Sequence, residues 1–505
     1  MVKTAAEAYD ELIRRIKEIA VLESCGSLLH WDQQTYMPPK GSGHRAEQLA
    51  LVAGLVHDKF TAPKIGEFLA TAEVGGLTKD PGSEQAVNLR EIRRSYDRET
   101  KIPPALIREL AKTCALAQDV WVEARRKSEF GLFRPWLEKV VALKRQQAEA
   151  LGYTTVPYDP LLDGYEPGET ASRLTVLFAD LQKELVPLVR AITESSRRLD
   201  TTCLHREYPI AQQEAFGKAV AAGIGFDFQA GRLDLTTHPF CSGIGPGDTR
   251  LTTRYDPNDF GDAFFSIMHE SGHALYDQGL GSKHYGTPMG TAVSLGIHES
   301  QSRLWENFVG RSRAFWDAYF PQAQEAFPQA LGDTSLDTFY FAINEVQPSF
   351  IRVEADEATY NLHIVLRFEL EQALIQGDLS AGDVPGAWNE RFRQLFGMAP
   401  PDDAMGCLQD IHWSGGGIGY FPTYTLGNLY AAQFFAQAQN DLGDLAGQFR
   451  RAEFRPLKEW LNEKIHRHGQ RHRATELVAA VTGEPLNPRF FLDHLRVKFG
   501  PLYGI

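Results

Sequence analysis

The sequence has few cysteines, no long apolar run and no excess of positive charge. Its five cysteines among 505 residues are scattered and form no CxxC pair, so neither a disulfide framework nor a thiolate zinc site is indicated. No run of about 18 apolar residues occurs, which argues against a membrane-spanning helix. The net charge of −13 argues against nucleic acid or an anionic membrane as the main partner.

The location of the protein follows from the same features. Glu7, Asp10 and Glu11 stand where a secretory signal would need an apolar core. Unpaired cysteines are typical of a reducing compartment. We therefore expect a cytoplasmic protein that binds neither nucleic acid nor a membrane.

Most of the chain has the spacing of amphipathic helices. In residues 7–24 and 134–153 the apolar side chains recur three and four positions apart. Residues 232–256 differ, because β-branched residues alternate there around a Gly/Pro-rich turn, which predicts a small hairpin or sheet. No repeat or low-complexity linker divides the chain. We predict a mainly α-helical protein with one domain over residues 1–505.

The stretch FFSIMHESGHALYDQGL, residues 264–280, contains a candidate metal site. On a helix, His269 and His273 lie on one face with Cβ atoms about 5–6 Å apart, and both can bind one zinc ion. Glu270 is turned about 100° from His269, which suits contact with a water on the ion. A solvated polar helix face would give the same pattern without a metal. We favour the metal site.

The third metal ligand is not fixed by this motif. The longer pattern HExxHxxGxxH fails, because Tyr276 stands at the glycine position and Gly279 at the third histidine. Residues 294–310 are predicted to form the next helix, and they offer Glu299 and the adjacent His298 about 100° apart. Two histidines and a glutamate form a catalytic zinc set, whereas an outer hydrogen bond is the alternative role for His298.

Several strings along the chain together resemble the carboxypeptidase Taq family of metallopeptidases. They are HPF (238–240), DTRLT (248–252), HESGH (269–273), HESQ (298–301), IRVEAD (351–356) and GCLQDIHW (406–413), with LLHWDQQTYMPP (28–39) and TGEPLNPRFFLDHL (482–495) nearer the ends. The resemblance covers nearly the whole chain. It implies that His269, His273 and Glu299 bind the metal and that Glu270 is the general base.

The same resemblance implies a fold and an activity. The fold would be a large multi-helix metallopeptidase with two lobes around a deep cleft and a small sheet beside the active site, similar to neurolysin and angiotensin-converting enzyme. The protein would be a homodimer with one divalent ion per subunit, zinc or alternatively cobalt. It would remove single C-terminal residues from peptides with broad specificity.

Three residues are candidates for binding the substrate. A guanidinium binds both oxygens of a free α-carboxylate, and Arg352 is the first candidate, although Asp356 lies at the spacing of an ordinary helix salt bridge. Arg250 is the second, although Asp248 could use it to fix the turn. His238 is the third, although a histidine in a turn more often binds backbone groups.

Residues 406–424 offer donors for the carbonyl oxygen of the substrate. Trp413 is followed by SGGG and then by Tyr420 and Tyr424. A glycine-rich loop that presents a phenol can supply an oxyanion donor, and similarity to related zinc peptidases implies His412 as a further candidate. Either tyrosine could have this role, and the other would pack.

These features predict a metallocarboxypeptidase that acts on peptides with a free C-terminus. Two alternatives stay open. One is a zinc oligopeptidase or aminopeptidase with the same metal chemistry, and the other is a non-catalytic metal-binding scaffold.

Overall fold

The computed structural model describes residues 4–198 and 200–505, and the described chain is mainly helical, as predicted. It forms two compact units, and each unit collects three separate stretches of sequence. Unit 1 comprises the described residues of Met1–Thr100, Asp200–Ile343 and Phe434–Pro485. Unit 2 comprises those of Lys101–Leu199, Asn344–Gln433 and Leu486–Ile505. The single domain over residues 1–505 stays a prediction.

The α-helices are numbered along the chain. In the first two stretches they are α1 (Ala5–Thr35), α2 (Ser42–Phe60), α3 (Pro63–Glu73), α4 (Glu84–Lys101), α5 (Pro104–Lys127), α6 (Phe130–Leu151), α7 (Asp159–Leu162) and α8 (Ala171–Glu194). The third stretch adds α9 (Ile210–Gly223), α10 (Phe260–Gly279), α11 (Leu295–Arg303), α12 (Arg313–Ala326), α13 (Pro328–Leu331) and α14 (Leu336–Ala342). The remainder are α15 (Tyr360–Gln376), α16 (Val384–Phe396), α17 (Pro422–Leu442), α18 (Leu445–Arg450), α19 (Arg455–Lys464), α20 (Ala474–Thr482) and α21 (Arg489–Tyr503).

The predicted small sheet lies in unit 1 and has three strands. They are β1 (Gly231–Leu235), β2 (Cys241–Gly245) and β3 (Asp248–Thr253), in the order β1-β3-β2. β1 runs parallel to β3, with the pairs Gly231–Thr249 to Leu235–Thr253. β2 runs antiparallel to β3, with Cys241 opposite Leu251. β2 is therefore an edge strand of this sheet.

An aromatic core fixes the start of α10, the helix that carries the HESGH motif. The Asp259 side chain caps the helix by accepting the backbone N–H of Gly261 at 2.7 Å. Phe260 and Phe264 stack at 5.2 Å, and Phe264 packs 5.0 Å from Trp316. Burial of such rings is the main stabilising contribution of this part of unit 1. The second half of α10 can then carry polar side chains.

Gly272, inside the motif, allows α10 and α11 to approach closely. A Cβ atom at this position would lie 2.4 Å from the carbonyl oxygen of Gln301 and 2.5 Å from Ser302 Cα. Real Cβ atoms do not approach other atoms so closely, so a side chain here would push α11 away. The glycine thereby brings the helix that carries Glu299 against the two histidines.

In unit 2, α15 is buried on nearly all sides and carries charged groups inside the protein. Arg367 and Glu371 have no exposed surface. Buried charges need partners, because transfer from water to the interior is costly. The partners of both residues also lie in unit 2 and are described below.

No helix of the described chain is long and apolar enough to cross a membrane. The five cysteines are all free.

Candidate active site

The two histidines of the HESGH motif and Glu299 converge on one point of unit 1. His269 and His273 lie on α10, and Glu299 lies on α11. Their ligand atoms all lie within 4.8 Å of one another. Glu299 Oε2 is 3.6 Å from His269 Nε2 and 3.4 Å from His273 Nε2. The structure therefore brings together the three side chains that the sequence analysis assigned to a metal.

These separations fit a divalent ion held by the three side chains. Two atoms bound about 2.0–2.1 Å from a tetrahedral zinc ion are about 3.3–3.4 Å apart. The side chains of His269, His273 and Glu299 are only 19%, 16% and 9% exposed. A solvated polar helix face does not fit this burial. Two imidazoles and a carboxylate are a ligand set that leaves a further position for water.

His269 is oriented by a second carboxylate. Its Nδ1 lies 3.0 Å from Glu306 Oε2, which leaves Nε2 directed to Glu299. The sequence predicts one helix over residues 294–310. In the structure α11 ends at Arg303, and a π-helical turn, Leu304–Gly310, follows it and carries Glu306. Burial raises the pKa of Glu306, but the bond to His269 and the charge of Arg303 outweigh it and lower the pKa to about 2.

Arg303 holds both carboxylates of this cluster. Its Nε donates to Glu299 Oε1 at 2.7 Å, and its Nη1 donates to Glu306 Oε2 at 3.3 Å. Burial would raise the pKa of Glu299, but Arg303 and His269 hold it well below its usual range. Glu299 is therefore ionised, with one oxygen fixed by Arg303 and the other directed to the histidines.

His298, the rival ligand, bonds to His273. The Nδ1 atoms of the two rings are 2.6 Å apart, and His298 Nε2 lies 3.1 Å from Asp277 Oδ1. Because Asp277 can only accept when ionised, His298 carries its proton on Nε2 and accepts from His273 Nδ1–H. His273 Nε2 then keeps a free lone pair on the side of Glu299. The geometry thus gives His298 the outer hydrogen bond that was its alternative role.

Glu270 is buried next to this cluster and is not held by another side chain. Its exposure is 7%, and no described residue donates a hydrogen bond to its carboxylate. Burial raises its pKa to about 7. A carboxylate with a pKa near neutral pH is matched to proton transfer in both directions.

In unit 2, Arg352 is buried and pairs with Asp410. Arg352 Nε and Nη2 both donate to Asp410 Oδ1, at 2.9 and 2.8 Å, and Nη1 donates to the Tyr360 hydroxyl at 2.8 Å. The alternative pairing of Arg352 with Asp356 is not found. Asp356 instead accepts hydrogen bonds from backbone N–H groups just before α15. The guanidinium is thus fixed in one orientation by an acid 58 positions away in sequence.

Asp410 also binds a second arginine, so positive charge is in excess here. Arg367 Nε donates to Asp410 Oδ2 at 2.6 Å, and Arg367 Nη2 lies 2.5 Å from the same oxygen. Burial raises the pKa of Asp410, but Arg367 and Arg352 outweigh it and hold the pKa well below its usual range. One carboxylate therefore faces two buried guanidinium groups.

The structure gathers His412, Tyr420 and Tyr424 in unit 2. The His412 ring lies 5.4 Å from Tyr420 and 6.4 Å from Tyr424, and the tyrosine rings are 5.3 Å apart. Arg352 Cζ lies 5.1 Å from the Tyr424 ring. Burial lowers the pKa of His412 to about 4, so its ring is neutral at pH 7. A neutral imidazole and two phenols next to a guanidinium form a cluster of hydrogen-bond donors.

The glycine-rich loop before Tyr420 is fixed to the core. Gly419 has a φ of +93°, and its N–H donates to Glu371 Oε2 at 3.0 Å. Glu371 also accepts from the Tyr158 hydroxyl at 2.7 Å and from Trp413 Nε1 at 2.9 Å. Glu371 thus holds the residues on both sides of the SGGG stretch.

The two weaker candidates lie on the sheet of unit 1. Arg250 donates from Nε and Nη2 to the two oxygens of Asp248, both at 2.8 Å, and its Cζ lies 4.1 Å from the Trp31 ring. This is the turn-fixing pair that the sequence analysis gave as the alternative. His238 is exposed in the loop before β2.

Four acidic residues that shape these clusters were not predicted. Asp277 had a signal, because it stands four positions after His273 and a metal-binding histidine usually bonds an outer acceptor. Asp410 had a weaker one, because it lies inside GCLQDIHW. Glu306 and Glu371 had no signal in the sequence. Neither a π-helical turn nor a contact between distant positions produces a recognisable local spacing.

Comparison with known proteins identifies the family of the chain. The model of the family described as Carboxypeptidase Taq (M32) metallopeptidase matches residues 11–499. The chain belongs to the carboxypeptidase Taq family. It is 50% identical to thermostable carboxypeptidase 1 of Thermus thermophilus, over 99% of this chain and 100% of the relative. It is 40% identical to carboxypeptidase 1 of Bacillus subtilis, over 99% of each.

Solved structures of the carboxypeptidase Taq family have the same fold. An M32 carboxypeptidase from Deinococcus radiodurans superposes with a TM-score of 0.95 at 40% identity, covering 99% of this chain and 100% of that one. The Pyrococcus furiosus carboxypeptidase superposes with a TM-score of 0.92 at 36% identity, covering 99% and 100%. The chain is therefore a metal-dependent carboxypeptidase of this family.

Proposed function

We propose that this carboxypeptidase removes single C-terminal residues from peptides with broad specificity, with His269, His273 and Glu299 as metal ligands and Glu270 as general base. The observation that carries the proposal is the convergence of the three ligand atoms within 4.8 Å next to a buried carboxylate on the same helix. The family membership supports the same activity.

The chemistry is divided between the ion and the side chains. A divalent ion held by the three ligands supplies Lewis-acid activation of a water molecule and of the peptide carbonyl. Glu270 accepts the proton of the attacking water and passes it to the leaving amine. Its position between the two histidine ligands on α10, with only 7% exposure, supports both transfers. Arg303, Glu306 and His298 keep the ligand side chains oriented.

Residues of unit 2 recognise the substrate in this proposal. Arg352 binds the terminal carboxylate, which is supported by the excess of two guanidinium groups over Asp410. His412 with Tyr420 or Tyr424 donates hydrogen bonds to the carbonyl oxygen as it gains charge. We assign smaller parts to Arg250, which pairs one to one with Asp248 and so adds no excess of positive charge, and to His238.

The proposed activity is tested by mass spectrometry of a mixed peptide pool. Enzyme loaded with zinc should shorten the peptides from the C-terminus only, one residue at a time, and chelator-treated enzyme should leave them intact. Internal cuts or shortening from the N-terminus would instead support the oligopeptidase or aminopeptidase alternative. Zinc binding without any hydrolysis would support the scaffold alternative.

The part of Arg352 is tested with free-acid and C-terminally amidated peptides. Arg352→Ala should raise KM for the free acid by about a hundredfold, because a charge-assisted pair is lost, and should change KM for the amide much less. Arg393→Ala, which removes an exposed arginine of the same unit, is the matched control. Equal losses on both substrates would remove Arg352 from carboxylate recognition.

Four finer features complete the proposal. Zinc is supported by the ligand set and by its separations, with cobalt as an alternative. A cytoplasmic location is supported by the five free cysteines. The homodimer and the two-lobed cleft similar to neurolysin and angiotensin-converting enzyme are supported by the family resemblance alone. Light scattering of the purified protein would test the dimer.

A further inference from the structure

Glu371 is a buried carboxylate of unit 2 to which the proposed function gives no part in the reaction. It lies on α15 and has no exposed surface. It accepts hydrogen bonds from the Tyr158 hydroxyl at 2.7 Å, from Trp413 Nε1 at 2.9 Å and from the Gly419 N–H at 3.0 Å. Because Glu371 is too deeply buried to touch a peptide, it can affect the reaction only through the residues that it holds.

Two of these donors are the sequence neighbours of proposed oxyanion donors. Trp413 directly follows His412, and Gly419 directly precedes Tyr420. Residues 413–419, which we call the SGGG loop, are thus held at both ends by Glu371. Trp413 bonds Oε1 and Gly419 bonds Oε2, so each end of the loop has an oxygen of its own. One carboxylate therefore fixes how far apart the two ends lie.

The SGGG loop also packs closely onto the rest of unit 2. A Cβ atom at Gly419 would lie 2.9 Å from the carbonyl carbon of Leu161 and 2.9 Å from the backbone nitrogen of Leu162, in α7. A Cβ atom at Gly416 would lie 3.1 Å from Cys114 Sγ. The φ angles of the two glycines are +93° and +74°. Glycine permits both this backbone conformation and this close approach.

The position of His412 depends on the loop, because among the described residues no hydrogen bond holds its ring. Its Nδ1 is buried without a hydrogen-bond partner and lies 3.8 Å from Asp410 Oδ1. In contrast, His269 Nδ1 has Glu306 at 3.0 Å. The backbone carbonyl of His412 accepts from the Gly417 N–H at 2.8 Å, inside the loop. The imidazole is therefore placed by its backbone and by the rings that pack on it.

The rings that pack on His412 follow the other end of the loop. The Phe421 ring lies 4.6 Å from His412, and the Tyr420 ring lies 5.4 Å from it. Both residues come directly after Gly419, and Tyr420 also packs edge-on against Tyr165 at 5.2 Å. A shift of Gly419 would therefore move the phenol of Tyr420 together with the rings that support the imidazole.

We propose that Glu371 is a positioning residue of the reaction, which holds His412 and Tyr420 in the places that the developing oxyanion requires. The inference rests on the proposed function, because Glu371 acts only through these two donors. A shift of about 1 Å in a group that positions the reaction can lower the rate by about 10²-fold. Binding of the terminal carboxylate should change little, since Asp410, outside the loop, holds Arg352.

Glu371→Gln tests the proposal with a side chain of the same shape. An amide nitrogen cannot accept a hydrogen bond, so either Trp413 or Gly419 loses its acceptor, whichever way the amide is turned. We expect kcat for a free-acid peptide to fall by about 10–100-fold and KM to stay within about twofold, with the metal content unchanged. Glu369→Gln, on the more exposed side of the same helix, is the matched control and should keep the wild-type kcat.

Two further variants separate positioning from a loss of stability. Trp413→Phe and Tyr158→Phe each remove one hydrogen bond to Glu371, but only Trp413 belongs to the SGGG loop. Trp413→Phe should lower kcat by about tenfold, and Tyr158→Phe by much less. Urea unfolding gives the folded fraction of each variant in the assay. Equal losses of kcat per folded enzyme would overturn the proposal, and this comparison decides if Glu371→Gln does not fold.

Double-mutant cycles show whether the effect of Glu371 passes through the two donors. His412→Ala and Tyr420→Phe are each combined with Glu371→Gln, because residues that act together give non-additive effects. The loss of kcat caused by Glu371→Gln should be smaller in either background than in the wild type, and absent when both donors are replaced. An unchanged loss in both backgrounds would overturn the inference, as would wild-type kcat in Glu371→Gln. The peptide ladder of the wild type reports the proposed function, so the two can fail separately.

Discussion

The metal-binding cluster of unit 1 and the arginine cluster of unit 2 bury charge of opposite sign. Around His269 and His273, the carboxylates of Glu299 and Glu306 are held by Arg303, and Glu270 adds a further acid. Arg311 also pairs with Glu306, so Glu270 is the acid left without an arginine partner, and a cation would fit beside it. Around Asp410, two arginines share one carboxylate, and an anion fits there. Under the proposed function, a metal ion would complete the first cluster and a substrate carboxylate would complete the second.

The largest expected effect comes from Glu270→Gln, which should lower kcat by about a thousandfold while the protein keeps one metal ion per chain. The amide cannot accept the proton of water, and general base catalysis contributes about 10²–10⁴-fold. Steady-state kinetics and elemental analysis of the purified variant measure both quantities. The control is Asp262→Asn, which removes an acid of the same helix far from the motif. A variant with a tenth of the wild-type rate would exclude Glu270 as the base.

Substitution of Asp410 in the arginine cluster should lower the free energy of unfolding as well as the activity. Asp410→Ala leaves Arg352 and Arg367 buried with no carboxylate between them, and breaking such a group costs about 3–5 kcal/mol. Urea unfolding followed by tryptophan fluorescence measures this loss. Glu390→Ala removes an exposed ion pair of the same unit and should cost less than about 1 kcal/mol. Equal losses of unfolding free energy in the two variants would mean that burial of the arginine cluster does not increase the stabilisation by its ion pairs.

The two clusters also differ in how far the sequence predicts them. His269 and His273 could be chosen because their spacing is local, whereas Glu299 was preferred to the adjacent His298 chiefly because of the family resemblance. The orientation of Arg352 could not be predicted. Its partner is Asp410, whereas Asp356 is the acid that lies four positions away, at the spacing of a helix salt bridge. Tertiary contacts between distant positions leave no periodicity in the sequence.

Parts of the fold also could not be predicted from local sequence patterns. The helical content and the small sheet were predicted from periodicity and turn residues. The π-helical turn at Leu304–Gly310 was not, because no residue pattern marks it, yet it carries Glu306 to His269. Gly272 could be seen in the motif, but its contact with Gln301 could not.

Unit 2 should also contribute a pH dependence of stability through Glu371. Burial raises its pKa from the usual 4.5 to about 7, so the folded state holds the proton more tightly than the unfolded state. The resulting stabilisation is complete below about pH 4.5 and is lost as the pH rises through about 7. The free energy of unfolding should therefore fall by up to about 3 kcal/mol over this window.

Glu371→Gln should remove this slope, and urea unfolding at a series of pH values measures it. Glu369→Gln, on the more exposed side of the same helix, should keep it. A slope that is unchanged in Glu371→Gln would assign the pH dependence to another group.

The smallest effect is expected from the acceptors behind the two histidine ligands. Glu306 bonds His269 directly, whereas Asp277 acts on His273 through His298, one hydrogen bond further away. Loss of an outer acceptor typically lowers metal affinity by about 10–100-fold. Glu306→Gln should lower metal affinity by an amount near the upper end of this range, because His269 loses its own hydrogen-bond partner. Asp277→Asn should lower it by an amount near the lower end, because His298 still bonds His273. Competition with a chelator measures both affinities. A larger loss in Asp277→Asn than in Glu306→Gln would show that the tautomer of His273 is set by the whole chain from Asp277 rather than by His298.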